Sequence, residues 1–233
     1  MLARLFRPAV TAAFTPLAKL LHKMGVTPDM VTIFGCLASS ALALWLIPTG
    51  NLTIGALVIA LFALFDTVDG ILARLTGSAG PWGALLDSTL DRISDGAIFL
   101  SIALYFINQT GLYTPYRMWG IIAALAVLIL GSVVSYTKAR AGSVGVDIKS
   151  GIFERATRLV FALVPLFLMQ FGLPILFLII ALTLLAVGTL TTVFQRLFEA
   201  RKALLSGHSS ATQNVDGGTL VERRLVTPHN HGN

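Results

Sequence analysis

The sequence predicts an all-α integral membrane protein, with six transmembrane helices preceded by an amphipathic juxtamembrane helix. Three observations predict it. The chain of 233 residues is 55% hydrophobic and only 12% charged, against about 25% charged in a soluble domain, and its mean hydropathy is +0.82. Six mostly apolar runs approach the roughly 20 residues a helix needs to cross a bilayer; they fall at 30–48, 52–75, 83–107, 118–139, 155–171 and 174–195. Basic residues concentrate in the segments between alternate runs. The net charge of +6 is therefore a membrane-topology signal, and no nucleic-acid partner is expected. The lone Cys36 lies inside an apolar run and excludes an intrachain disulfide.

Each element has its own justification. In residues 2–24, Leu5, Phe6, Val10, Phe14, Leu17, Leu20 and Leu21 recur at helical spacing between Arg4, Arg7, Lys19 and Lys23, the pattern of a helix lying in the membrane surface. The first span ends at the turn Pro48–Asn51, the second at Gly77–Pro81 and the third at Asn108–Pro115, while Phe171–Pro174 separates the last two. Pro165 predicts a kink in the fifth span. Residues 1–205 thus form one membrane domain. From 206 to 233 the chain turns to Ser, Thr, Gly, Asn and His, which predicts a disordered cytoplasmic tail; His208, His229 and His231 belong to it and are expected to be solvated rather than metal-bound. Of the 17 Lys and Arg, all but Arg117 fall on one side of this arrangement. The positive-inside rule makes that side cytoplasmic, with both termini on it, in a multi-pass protein of the cell membrane.

Five of the 11 acidic residues crowd into Phe65–Gly96. Asp66 and Asp69, at i and i+3, share a helix face near the end of the second span. Asp87, Asp91 and Asp95, at i, i+4 and i+8, form a stripe at the start of the third. The short link predicts antiparallel neighbours whose acidic faces oppose each other at the cytoplasmic end. Charges at the hydrocarbon edge cost several kcal/mol each when unpaired, and Arg74 and Arg92 are too few to offset them. A divalent cation is the expected counter-charge, and hard carboxylate oxygens favour Mg²⁺, Mn²⁺ or Ca²⁺ over zinc. The helical rise of about 1.5 Å per residue lets one aspartate pair reach two ions about 3.5–4 Å apart. Gly70, Ala73, Gly77, Gly80 and Gly83 leave space beside the acids and Arg74, which suits a phosphate-bearing ligand.

The stretch "DTVDGILARLTGSAGPWGALLDSTLD" resembles the signature of the CDP-alcohol phosphatidyltransferase family, also called CDP-alcohol phosphotransferases. Asp66, Asp69, Gly70, Ala73, Arg74, Gly83, Asp87 and Asp91 occupy all of its fixed positions. The resemblance implies two Mg²⁺ ions, with Mn²⁺ able to substitute, held by Asp66, Asp69, Asp87 and Asp91. It implies CDP-diacylglycerol as donor, with Gly70, Arg74 and Gly80 against its nucleotide half. "TPDMVT" at Thr27–Thr32 is similar to a family segment near the cytidine, which adds Asp29 and Thr32. It further implies Asp91 as the general base that activates an acceptor hydroxyl, CMP as leaving group, and a homodimer.

A second cluster concerns the acceptor. Lys138 and Arg140 end the fourth span, Arg155 and Arg158 open the fifth, and Arg196 closes the sixth. Five cations at one expected depth suit a phosphorylated acceptor, because arginine binds phosphate bidentately. The segments Asp91–Gly96, Tyr136–Ala141 and Phe153–Leu159 resemble those of the family's bacterial phosphatidylinositol phosphate synthases. That resemblance implies 1D-myo-inositol 3-phosphate as acceptor, and phosphatidylinositol phosphate with CMP as products. Glycerol 3-phosphate, the acceptor of a phosphatidylglycerophosphate synthase, needs a cationic pocket equally and is the alternative. A divalent-cation transporter is a reading from another class, but its acids belong near the bilayer midplane, whereas these gather at one face.

Overall fold

A computed structural model describes residues 2–148, 150, 151, 153 and 155–222. Lys149 and the segment 223–233, with Arg223, Arg224, His229 and His231, lie outside the described residues. Among the described residues there are seven α-helices and no strand: α1 (Leu2–Lys23), α2 (Pro28–Leu46), α3 (Leu52–Thr76), α4 (Pro81–Asn108), α5 (Thr114–Ser143), α6 (Arg155–Met169) and α7 (Ile175–Glu222). Their ends follow local chemistry. Thr27 caps α2 by accepting the Met30 N–H, with Pro28 in its first turn. Gly77 ends α3 in the left-handed conformation, φ 68°, which glycine adopts without a Cβ clash.

Among the described residues, four helices are long and apolar enough to cross a membrane: α2, α3, α5 and the Ile175–Leu205 part of α7. The sequence predicts six spans, and the two that differ do so for visible reasons. The first half of α4 carries Asp87, Asp91, Arg92 and Asp95, and α6 has only 15 residues. At its other end α7 continues to Glu222, into the stretch whose composition predicts a tail; extending a helix already nucleated is far easier than starting one.

The described residues divide into two compact units, one within Met1–Ser132 and Ile152–Leu190, the other within Val133–Gly151 and Thr191–Asn233. The first has a core of Ile98, Phe99, Ile102 and Phe106 from α4, Ala124 and Val127 from α5, Leu166 from α6, and Leu178, Leu182 and Leu185 from α7. Helices in lipid associate through close packing more than through water exclusion. Gly120 shows this: a Cβ there would lie 2.5 Å from the Phe106 ring. The acidic faces of α3 and α4 oppose each other, as the short link predicts, but the two helices are not packed closely side by side. α2 packs against both of them, and α3 packs also against α1 and α6, whereas α3 and α4 make little backbone contact with each other. Phe14, Leu17 and Leu21 of α1 turn toward Val68, Ile71 and Leu72 of α3, so part of the apolar stripe read as membrane-facing packs on protein.

In the second unit Ala141, Val146 and Ile148 pack with Ala200. Arg196, 4% exposed, donates to the carbonyls of Val134 at 2.6 Å and Ser150 at 3.1 Å. The Ser150 N–H donates to Glu199 at 3.0 Å. Lys138, Arg140 and Arg196, three of the five cations expected to bind acceptor phosphate, belong to this unit; Arg140 donates to Ser143 Oγ at 3.1 Å.

Candidate active site

The site lies in the first unit. Asp66 and Asp69 stand one turn apart near the end of α3, and Asp87 stands in the second turn of α4. Each offers a carboxylate oxygen, and these oxygens lie within 4.8 Å of one another. Three of the four aspartates implied as metal ligands are thus brought together across the gap between α3 and α4. Asp69 is the most enclosed of them, 9% exposed. Its Oδ2 accepts from Thr32 Oγ1 at 2.6 Å and its Oδ1 from the Gly70 N–H at 2.5 Å. Those bonds fix its rotamer and aim it from α3 toward α2. A donor set of three carboxylates fits a hard divalent cation.

Asp91, one turn further along α4, is placed differently. Its Oδ1 lies 2.7 Å from Arg155 Nη1, and its Oδ2 lies 3.7 Å from Arg92 Nη2. The same Arg155 Nη1 is 2.7 Å from Asp66 Oδ2, and Arg155 Nε is 3.2 Å from Asp95 Oδ1. Arg155 and Arg158, expected as phosphate ligands, therefore both engage the acidic helices: Arg158 Nη2 pairs with Asp95 Oδ2 at 2.5 Å. The cations absent from the charge inventory around the five aspartates come from α6, which folds back against α3.

On the α2 side the aspartates open into a groove of about 710 Å³. All five residues implied for the nucleotide, Asp29, Thr32, Gly70, Arg74 and Gly80, line it together with Asp69 and Asp87. The left-handed Gly77 and the extended Gly80 turn the chain from α3 into α4 along its rim. On the α6 side lies a much smaller cavity, about 20 Å³, lined by Thr32, Cys36, Ser39, Asp66, Asp91 and Arg155 among others.

Sequence reasoning missed Trp82, which lines the groove and donates from Nε1 to Asp29 Oδ2 at 2.9 Å. It also left Asp95 without a role, although the i, i+4, i+8 spacing had placed it on the acidic stripe.

A family model, CDP-alcohol phosphatidyltransferase, matches residues 25–194. The chain belongs to that family. It is therefore an enzyme, and the transporter reading falls. The chain is 40% identical over 228 residues to the phosphatidylinositol phosphate synthase of Streptomyces avermitilis, covering 94% of this chain and 91% of that one. Among solved structures, the Mycobacterium tuberculosis phosphatidylinositol phosphate synthase with CDP-DAG bound superposes with a TM-score of 0.74 at 41% identity, covering 80% of this chain and 92% of that one. The same protein in complex with manganese and citrate gives 0.74 at 41% identity, covering 80% and 88%.

Proposed function

We propose that this enzyme transfers the phosphatidyl group of CDP-diacylglycerol to 1D-myo-inositol 3-phosphate, giving phosphatidylinositol phosphate and CMP. The observation that carries the proposal is the convergence, on one carboxylate cluster, of a nucleotide-sized groove on one side and an arginine on the other. Similarity to phosphatidylinositol phosphate synthases along most of the chain supports this acceptor over glycerol 3-phosphate.

Asp66, Asp69 and Asp87, with Asp91 one turn on, would hold two Mg²⁺ ions, or Mn²⁺ in their place. When bound, such ions supply charge neutralisation for the diphosphate and the departing CMP. The chain's own residues do the rest. Asp29, Thr32, Gly70, Arg74 and Gly80 seat the nucleotide in the groove and orient the diphosphate toward the aspartates. Asp91 accepts the proton of the acceptor hydroxyl; that oxygen attacks the lipid-side phosphorus, and the bond to CMP breaks. Arg155 binds the acceptor's phosphate and so brings the hydroxyl to Asp91. The sequence argument extends phosphate binding to Lys138, Arg140 and Arg196; Arg158, also named by it, is 2% exposed and paired with Asp95 Oδ2, and so supports the site from behind.

The membrane arrangement proposed is six spans, α2 to α7, with α4 and α6 completing the four apolar ones. Both termini and the site are cytoplasmic, α1 lies along the membrane surface, and the enzyme is a homodimer.

The test is purified protein with CDP-diacylglycerol and, separately, inositol 3-phosphate, inositol, glycerol 3-phosphate and serine, following CMP release and the lipid product. Inositol phosphate is expected to support turnover far better than the others. Equal use of free inositol, or preference for glycerol 3-phosphate, overturns the assignment.

A further inference from the structure

We infer that Asp95 is a positioning residue for the acceptor side of the site: it holds Arg155 between Asp66 and Asp91, and the buried Arg158 anchors it. The inference rests on the function proposed above.

Asp95 is 8% exposed and divides its two oxygens between two arginines of α6. Oδ1 takes Arg155 Nε at 3.2 Å, and Oδ2 takes Arg158 Nη2 at 2.5 Å; Arg92 Nη1 stands 3.7 Å from Oδ2. Arg155 is thereby gripped at Nε while its Nη1 lies 2.7 Å from both Asp66 and Asp91. A free arginine has many rotamers; one tethered at Nε presents its outer nitrogens in one place. Preorganisation of that kind is what a phosphate-reading guanidinium needs.

Arg158 has the other role. It is 2% exposed, its Nη1 donates to the Phe153 carbonyl at 3.4 Å, and a Cβ on Gly131 would lie 3.2 Å from its Nε. A side chain so enclosed has no room to swing toward a reactant. Its charge still needs a partner at that depth, and Asp95 is that partner. Of two arginines one turn apart on α6, Arg155 meets the acceptor and Arg158 acts through Asp95. The i, i+4, i+8 stripe thus divides between chemistry at Asp87 and Asp91 and support at Asp95.

The experiment measures KM for each substrate and, by calorimetry on Mn²⁺-loaded protein, the affinity for inositol phosphate. Asp95→Asn is expected to weaken acceptor KM and affinity about tenfold, the scale of one charge-assisted bond, with KM for CDP-diacylglycerol within about twofold. Because Asp95→Asn alone leaves Arg158 buried without counter-charge, the double variant Asp95→Asn/Arg158→Gln is measured beside it. The double variant is expected to recover thermal stability but not acceptor affinity. Recovery of both would make the pair merely structural and overturn the inference. A cycle with Arg155→Lys is the second check: with Arg155 altered, Asp95→Asn is expected to add no further loss, and additive losses would overturn the inference equally. Failure of the unaltered enzyme to use inositol phosphate overturns the function proposal instead, so the two failures are distinct.

Discussion

The two sides of the aspartate cluster are built on different principles. Toward α2 there is an open groove of about 710 Å³ walled by Gly70, Gly80 and Gly83, with Asp29, Thr32 and Arg74 at its edges. Toward α6 there is a cavity of about 20 Å³, and ion pairs close over it: Arg155 touches Asp66, Asp91 and Asp95, and Arg158 touches Asp95. One side is shaped by the absence of side chains and the other is held by charge. Bulk and polarity match these walls. A nucleotide diphosphate needs room and close backbone approach, whereas a small phosphorylated polyol needs a fixed cation. Asp66 belongs to both sides, since it joins the metal-type cluster and also pairs with Arg155.

The largest effect is expected at the carboxylates suited to metal. Asp66→Asn or Asp87→Asn is expected to abolish turnover, by about a thousandfold or more, since a bound divalent ion contributes several kcal/mol to such a transition state. Mn²⁺ binding followed by calorimetry should fall in the same variants. Full turnover in excess chelator, or in either variant, would remove the metal from the proposal.

Asp91 comes next. Asp91→Asn should lower kcat by about a hundredfold to ten-thousandfold, the usual worth of a positioned general base, while CDP-diacylglycerol still binds. Single-turnover kinetics separate these quantities. A variant with normal kcat would move the base to another residue.

Arg155 sharpens the difference between the sides. Arg155→Ala is expected to raise KM for inositol phosphate about tenfold or more, because a charge-assisted bond to phosphate contributes about 1.5–3 kcal/mol, and to leave KM for CDP-diacylglycerol nearly unchanged. Steady-state kinetics with each substrate varied in turn on folded protein decide it. Equal effects on both would mean that the arginine only supports the acidic helices.

These expectations differ in how far the sequence alone could reach. Helix number and most boundaries were legible because hydropathy and turn residues are local signals: Gly77 and Pro81 mark ends that the structure keeps. The grouping of Asp66, Asp69 and Asp87 was legible because i, i+3 and i, i+4 spacings fix a face on each helix. What could not be read was which helix lies between which. The α3–α4 link predicts contact, yet α2 packs on both, and that arrangement opens the groove. Nor does local spacing say that the arginines of α6 reach the acids of α3 and α4, since Arg155 and Asp66 stand far apart in sequence. Arg155 read as one of five equivalent cations; its pairs with Asp66 and Asp91 and the enclosure of Arg158 set the two apart.

Trp82 offers the smallest effect and a mirror of Arg155 on the donor side. Its indole Nε1 donates to Asp29 Oδ2 at 2.9 Å, so it holds that carboxylate against the groove wall. Trp82 is 63% exposed, and an exposed bond of this kind contributes about 0.5–1.5 kcal/mol at most. Trp82→Phe keeps an aromatic surface at the rim and removes the donor. KM for CDP-diacylglycerol is expected to rise about twofold to tenfold, with kcat and KM for inositol phosphate unchanged. That is the reverse of the Arg155→Ala pattern, measured in the same assay. If Trp82→Phe instead weakened the acceptor, the groove and the arginine side would not be separable, and the division of labour between α2 and α6 would have to be abandoned. If Asp29→Asn reproduced the Trp82→Phe effect and the double variant added nothing, the two residues would act as one unit on the nucleotide, as their hydrogen bond requires.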